Sequence, residues 1–341
     1  MPPKLTENRL HPAWDSAGAD HVVGLAWSPN GRFVAVAAVS GPVLVFDAKS
    51  GQSVATLTGH SFGTMALVWK PTGELLATAG QDGKLRIWDA TLWQERAALD
   101  GGAAWVEKLA FSPDGQWLAS AAGKRVRVWD SAGELVREFS DHKSTVSDLA
   151  WRGSLLSVAS YGGVRLYNVT TGETRLNFEW KGAPLATAWS PNGAMLAHGN
   201  QDATIHFWYA AKPTTPLQMS GFSTKVRELS WDATSRYLAC GGSPAVCVWD
   251  CGGKGPEGSK PTLLKGHDEP LSAVAWQRRG FLVASGCSQG RVNLWQPANR
   301  KGPHVGAVSI AAPVSALAWS PDDKSLAVGG ADGGVRLLSV R

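Results

Sequence analysis

The sequence predicts an all-β fold, a propeller of eight four-stranded blades, and three observations carry that reading. A bulky aromatic residue recurs about every 42 residues, a second bulky residue follows each one at a nearly constant distance, and no segment shows sustained helical periodicity. The first series is Trp27, Trp69, Phe111, Trp151, Trp189, Trp231, Trp276 and Trp319, in steps of 38 to 45 residues. The second is Phe46, Trp88, Trp129, Tyr167, Trp208, Trp249, Trp295 and Leu338, each 16 to 19 residues after its partner. Twelve of the 17 tryptophans fall on these two positions, so the repeat governs where the largest side chains go.

Each unit carries the signals of short strands. The first aromatic is followed by a turn, as in Ser28-Pro29-Asn30-Gly31, Ser112-Pro113-Asp114-Gly115 and Ser190-Pro191-Asn192-Gly193. Pro sets the φ of a turn's second residue, while Asn, Asp and Gly accept the left-handed positions that follow. An apolar segment comes next, such as Leu75 to Ala79, and then a tight turn at Gln81-Asp82-Gly83. An alternating strand, Lys84 to Trp88, ends on the second bulky residue, and a more polar fourth strand such as Ser53 to Thr58 completes the unit. Four strands in 40 to 45 residues is the period of a propeller blade.

On these residues the chain resembles the WD40-repeat family. The family's closing dipeptide stands at Trp88-Asp89, Trp129-Asp130 and Trp249-Asp250, and its opening Gly-His at Gly59-His60 and Gly266-His267. Residues 1–341 read as one domain with units at 20–58, 59–100, 101–140, 141–179, 180–220, 221–265, 266–309 and 310–341. Eight units predict eight blades, with seven as the alternative. The last unit reaches its third strand at Arg341, so its fourth strand is expected from the N-terminus, at residues 9–14. The resemblance also implies a hydrogen-bonded network within a blade, and only the second unit carries all its members: His60, Thr78, Asp82 and Trp88.

Composition excludes several classes. With 44% hydrophobic and 18% charged residues the chain is globular. Its net charge of +5 is modest and undispersed runs of Lys and Arg are lacking, so nucleic acid is not an expected partner. The first 20 residues hold no apolar run of the secretory kind, and no stretch approaches the 18 apolar residues of a membrane helix. A cytoplasmic location without a membrane is the expectation. Cys240, Cys247 and Cys251 are spaced by six and three residues, unlike paired zinc thiolates, so all four cysteines, Cys287 included, read as buried thiols.

Two short patterns mimic active sites. Gly253 to Gly258 matches a dinucleotide fingerprint, and Gly286-Cys287-Ser288-Gln289-Gly290 a nucleophile elbow. Both chemistries need a helix after the motif, and none is expected here. No enzyme, cofactor or metal is therefore predicted.

The resemblance places partners on the face built by the loops that lead into each first strand and by the tight turns, over a central channel. Four residues before each first aromatic, the channel mouth should be lined by Val23, Met65, Glu107, Ser147, Leu185, Arg227, Ser272 and Ser315. The lead-in loops add Phe62, Trp105, Lys143, Trp180, Phe222 and Lys225, and Tyr161 stands at a turn position where the family has Asp. Aromatic residues and Arg on a loop-built face dominate interface energetics. Trp180 and Phe222 also have a structural reading, as plugs where histidines are missing. A second, basic surface runs from Cys251 to His304, with Lys254, Lys260, Lys265, Arg278, Arg279, Arg291, Arg300 and Lys301. The expected function is a non-enzymatic scaffold or adaptor for other proteins, a monomeric propeller within a larger complex. The alternative is an accessory that binds a small ligand, metal or modified peptide at the channel mouth.

Overall fold

The computed structural model describes residues 7–18, 20–102, 105–253 and 255–341. Among these residues every regular element is a strand. The strands form eight antiparallel sheets of four, so the fold is an eight-bladed β-propeller. The chain divides into two compact units, Gly18–Thr187 and Met1–Ala17 with Ala188–Arg341.

In the unit Gly18–Thr187, blade 1 is Val22–Trp27, Phe33–Ala38, Val43–Asp47 and Ser53–Leu57. Blade 2 is Thr64–Trp69, Leu75–Gly80, Lys84–Asp89 and Glu95–Asp100. Blade 3 is Val106–Phe111, Leu118–Ala122, Arg125–Trp129 and Leu135–Phe139, and blade 4 is Asp148–Arg152, Leu155–Ser160, Gly163–Asn168 and Thr174–Glu179. Burial follows strand position. The second strand of blade 2 is buried at all six residues, whereas its fourth strand alternates between exposed and half-buried. Ala77, Thr78, Ala79 and Gly80 are small enough for neighbouring sheets to approach on both faces. The charged fourth strands of blades 2 to 4 leave edges that do not invite pairing with another chain.

Four of the repeat aromatics tie their sheet to the one before it. The indole N–H of Trp69 donates to the Ala26 carbonyl at 3.1 Å, and that of Trp151 to the Ala110 carbonyl at 3.1 Å. In the other unit Trp231 donates to Ala188 at 3.1 Å and Trp319 to Ala275 at 2.9 Å. The acceptor is each time the alanine just before a first aromatic, so both ends of the bond belong to the repeat. The predicted turns close as their composition requires. Ser28 Oγ accepts the Phe33 N–H at 2.9 Å and donates to Asn30 Oδ1 at 2.7 Å, and Ser190 and Ser320 repeat the arrangement.

The second unit holds blades 6 to 8 and blade 5 from Ala188 onward. Blade 5 starts at Pro184–Trp189 and blade 6 at Leu229–Trp231; blade 7 starts at Leu271–Trp276. Blade 8 has Val314–Trp319, Ser325–Gly330 and Val335–Val340, and its fourth strand is the N-terminal Leu10–Ser16. This strand lies one residue later at its start, and two at its end, than the sequence reading. It runs antiparallel to the third strand, with Leu10 opposite Val340 and Ser16 opposite Val335, and a bulge between Pro12 and Trp14 absorbs the proline that cannot donate. Leu10 is fully buried among Leu282, Leu294, Leu326 and Leu338. Asn8 reaches blade 7, donating to the Ala307 carbonyl and accepting its N–H, both at 3.0 Å.

Deletion of residues 1–16 is expected to yield aggregated or unfolded protein, because it uncovers the edge of Val335–Val340 and the Leu10 pocket. A truncated chain as soluble and as thermally stable as the full one, by light scattering and calorimetry, would refute this role.

Candidate functional site

The network of blade 2 is complete. Trp88 Nε1 lies 2.9 Å from Thr78 Oγ1, Thr78 Oγ1 lies 2.8 Å from His60 Nε2, and His60 Nδ1 lies 3.0 Å from Asp82 Oδ1. The two ends fix its direction, since an indole only donates and a carboxylate only accepts. Trp88 therefore donates to Thr78, Thr78 to His60, and His60 to Asp82. Burial lowers the His60 pKa despite the Asp82 carboxylate, so the ring is neutral and rigid. Burial would raise Asp82, but the hydrogen bond from His60 outweighs it and the group stays ionised. A base so oriented faces only its own blade, and its chemistry is structural.

Other blades keep fragments of the chain. Trp129 donates to Ser120 at 3.0 Å in blade 3 without a histidine. In blade 4 the Tyr167 hydroxyl lies 3.3 Å from both His142 Nε2 and Asp141 Oδ1, while His142 Nδ1 donates to the Lys124 carbonyl at 3.0 Å. In blade 7 Trp295 donates to Ser285 at 2.8 Å, and Ser285 Oγ lies 2.7 Å from His267 Nε2. Blade 5 replaces the hydroxyl by His198, whose ring packs 4.8 Å from that of Trp208 and 5.4 Å from that of His206. Burial drives His198 down to about 3 and His206 and His267 to about 4.

In the unit Gly18–Thr187 the lead-in loops and tight turns meet at one end of each sheet. The Gln81 N–H donates to the Gly63 carbonyl, Gly101 to Gly83, and Trp180 to Gly162. Three aromatic side chains project there from successive blades: Phe62 at 81% exposure, Trp105 at 53% and Tyr161 at 47%. Phe62 also holds φ at +68°, a left-handed conformation that costs a non-glycine residue about 1 kcal/mol or more. Met65 and Glu107 occupy the bulges where first-strand pairing slips, between Thr64 and Ala66 and between Val106 and Lys108. Val23, Ser272 and Ser315 sit on the same kind of bulge. A bulge re-aims the side chain it carries, which gives the position four residues before the aromatic its distinct direction. Lys143 is exposed beside Gly162, and the Tyr161 N–H donates to Ser144 Oγ at 2.8 Å. Trp180 is half-buried.

In the other unit Lys225 and Arg227 are exposed. Phe222 is instead packed on the core of Val226, Trp231 and Cys240, above Gly242, as a plug would be. The basic segment does not form one surface. Arg278, Arg279, Arg300 and Lys301 sit in turns at one end of the blade 7 sheet, whereas Lys265 and Arg291 stand at the other, and Lys254 lies outside the described residues. All four cysteines are buried and free. The elbow-like motif joins strand to strand, Gly286–Gly290 linking Val283–Cys287 to Arg291–Trp295, while the other motif contains residue 254, outside the described residues, and its described members stand in no strand after Ala245–Asp250. Among the described residues no group of three or more His, Cys, Asp or Glu is arranged to hold a metal ion.

Three charged groups escaped the sequence reading. Lys108, Asp148 and Glu228 stand three residues before the first aromatic, one place beyond the bulge position. Burial raises Asp148, against the pull of Lys108, and its Oδ2 accepts from the Thr187 N–H at 2.7 Å and hydroxyl at 2.9 Å. Burial likewise raises Glu228, which lies against Gly241. Their shared offset within the repeat was the available signal.

The chain is similar to two family models: the IFT122 first β-propeller over residues 21–256, and the WD domain, G-beta repeat over residues 258–296 and 307–339. WD repeat-containing protein slp1 of Schizosaccharomyces pombe is 27% identical over 216 residues, 60% of this chain and 43% of that protein. Anaphase-promoting complex subunit cdc20 of Dictyostelium discoideum is 26% identical over 179 residues, 49% of this chain and 34% of that protein. The chain thus spans less than half the length of these relatives. The crystal structure of the computationally designed Ika8 protein matches with a TM-score of 0.83 at 24% identity, over 96% of this chain and 99% of that one, a likeness of fold.

Two outcomes follow for stability. His60→Ala should cost about 2 kcal/mol, the loss of two buried hydrogen bonds, and lower the melting temperature while the circular dichroism of the strands persists; global unfolding would contradict the dominance of apolar packing. The histidines held neutral in the fold have pKa values below the 6.5 they have when unfolded, so their contribution is full above that value and lost as pH falls. Each should cost roughly 2 kcal/mol by about pH 5. His198→Gln should flatten the fall in melting temperature between neutral and mildly acidic pH, and an unchanged slope would refute the assignment.

Proposed function

The chain belongs to the WD40-repeat β-propeller family, and from that premise we propose that it is a non-enzymatic adaptor that binds other proteins through the loop-built end of blades 2 to 4. The observation that carries this reading is the set of Phe62, Trp105 and Tyr161, three large side chains left in solvent by successive blades of one unit. Scattered single apolar residues on a surface are ordinary, but aromatic residues gathered at loop tips on rigid sheets have the chemistry of interface anchors. The strained φ of Phe62 supports it, since nothing in the blade's own packing needs a phenylalanine there.

Met65, Glu107 and Lys143 would supply the surrounding polar and adaptable contacts, with Trp180 at the rim. Lys225 and Arg227 would serve the same role in the second unit, where Phe222 is largely committed to the core. The names of the relatives support a partner-protein role in general, because cdc20 and cdh1 of Dictyostelium discoideum are subunits of the anaphase-promoting complex.

The test compares affinity purification of the native chain with that of a triple variant, Phe62→Ala, Trp105→Ala and Tyr161→Ala. All three side chains are exposed, so the melting temperature should stay within a few degrees, while the main co-purifying protein should be lost. Recovery of the same partners at the same yield would exclude this end as the interface.

A further inference from the structure

A cleft of about 310 Å³ opens between blades 2 and 3, at the end of the sheets opposite the exposed aromatics. Its walls are Leu75, Ile87, Leu99, Phe111, Leu118 and Trp129, and its rim carries Lys70, Arg96 and Asp130. The neighbouring blade interfaces of the same unit show why this one is open. Between blades 1 and 2 the equivalent space is filled by Trp93, whose ring meets Phe33 edge-on at 5.0 Å and Trp69 at 6.1 Å. Phe33 and Trp69 hold the repeat positions that Leu75 and Phe111 hold in the cleft.

Trp93 reaches that space from the turn between third and fourth strands, at φ +55°. The same turn position is Gly51 in blade 1, Gly133 in blade 3 and Gly172 in blade 4, all at positive φ. A β-carbon on Gly133 would point at Leu99, 3.2 Å from its methyl carbon, that is, into the cleft. Between blades 3 and 4 the gap left by Gly172 is closed differently. Arg137 lies over that glycine and donates to the Val169 carbonyl at 3.3 Å and the Thr170 carbonyl at 2.7 Å. By strand register Arg137 opposes Val128 as Ala97 opposes Ile87, so the cleft has Ala97 where the next interface has a guanidinium. Blades 2 and 3 lack both plugs.

We propose that this cleft is a docking site for an acidic peptide segment of a partner protein, which inserts one bulky aromatic side chain and sets a carboxylate against Arg96. The aromatic requirement is taken from the molecule itself, since a tryptophan fills the equivalent space one blade earlier. The volume lies at the lower end of ligand pockets, enough for one large side chain and its flanking backbone. The acidic requirement comes from the rim. The Arg96 side chain is 58% exposed and only 3.7 Å from Asp89, a loose pair. Lys70 is held by Glu74 at 2.7 Å, and Asp130 Oδ1 already accepts the Ala132 and Glu134 N–H groups at 2.9 Å. The rim cation left to recruit an anion is Arg96, and its guanidinium suits a carboxylate. This site is separate from the loop-built end, and neither depends on the other.

The probe is a fluorescein-labelled peptide, Ser-Glu-Trp-Glu-Ser, titrated with the full chain and followed by fluorescence anisotropy. Saturable binding is expected, weakened at least tenfold when alanine replaces the peptide's tryptophan and at least tenfold by Arg96→Glu. Gly133→Trp should abolish it by supplying the missing plug, and Ala97→Arg, which copies the residue of the next blade, should do the same if the first variant does not fold. The proposal is overturned if the native chain shows no saturable binding up to about 1 mM, or if folded plug and charge variants bind the peptide as the native chain does.

Discussion

Apolar packing between consecutive sheets is the constraint on which the rest of each unit depends, and at two junctions in each unit an indole-to-carbonyl bond pins it. That bond demands a tryptophan at the end of one first strand and a small residue before the aromatic of the previous one. Trp69 with Ala26 and Trp319 with Ala275 meet that demand at 3.1 and 2.9 Å. The bond itself contributes about 1 kcal/mol net, but it sets the register in which much larger apolar areas close. A buried indole contributes roughly 2–3 kcal/mol by area alone.

Polar chemistry inside the blades is subordinate to this packing, which explains why it erodes without loss of the fold. Blade 2 keeps the whole chain from Trp88 to Asp82, blade 3 retains only Trp129 to Ser120, and blade 5 substitutes a pair of histidines whose rings pack at a tilt. In blades 2, 3 and 7 the surviving fragment satisfies an indole N–H that burial would otherwise strand. None converges on open space, so these groups serve architecture and leave recognition to the surface.

Much of the fold could be read from residues alone, because a period near 42 with turn chemistry at fixed offsets is a non-local signal repeated eight times. Blade number, strand order within a blade and the origin of the last outer strand all came from it. The blade 2 network was equally legible, each member standing at a fixed offset. The surface was less so. Exposure of Phe62 and burial of Phe222 depend on how each loop folds back over its turn, and both residues look alike in a list of lead-in aromatics. Lys108 was missed because alternation predicts facing, whereas the bulge one place earlier shifts the phase; Asp148 and Glu228 stand at or just before the start of short first strands, where alternation gives little guidance. The cleft beside Gly133 was invisible for a related reason: a cavity is made by what three separate turns and strands leave out.

The pairing of Leu10–Ser16 with Val335–Val340 couples segments more than 300 residues apart. During synthesis at about 5–20 residues per second, roughly 15 to 65 seconds separate the appearance of these partners at the ribosome. Throughout that interval Leu10 and its neighbours have no sheet to join, and blade 8 does not exist. Blades 1 to 4 draw all their strands from one contiguous stretch and need not wait. The nascent chain therefore passes through a stage in which an early apolar strand is held in reserve while the middle of the protein is already folded, the stage at which a chaperone would be most useful.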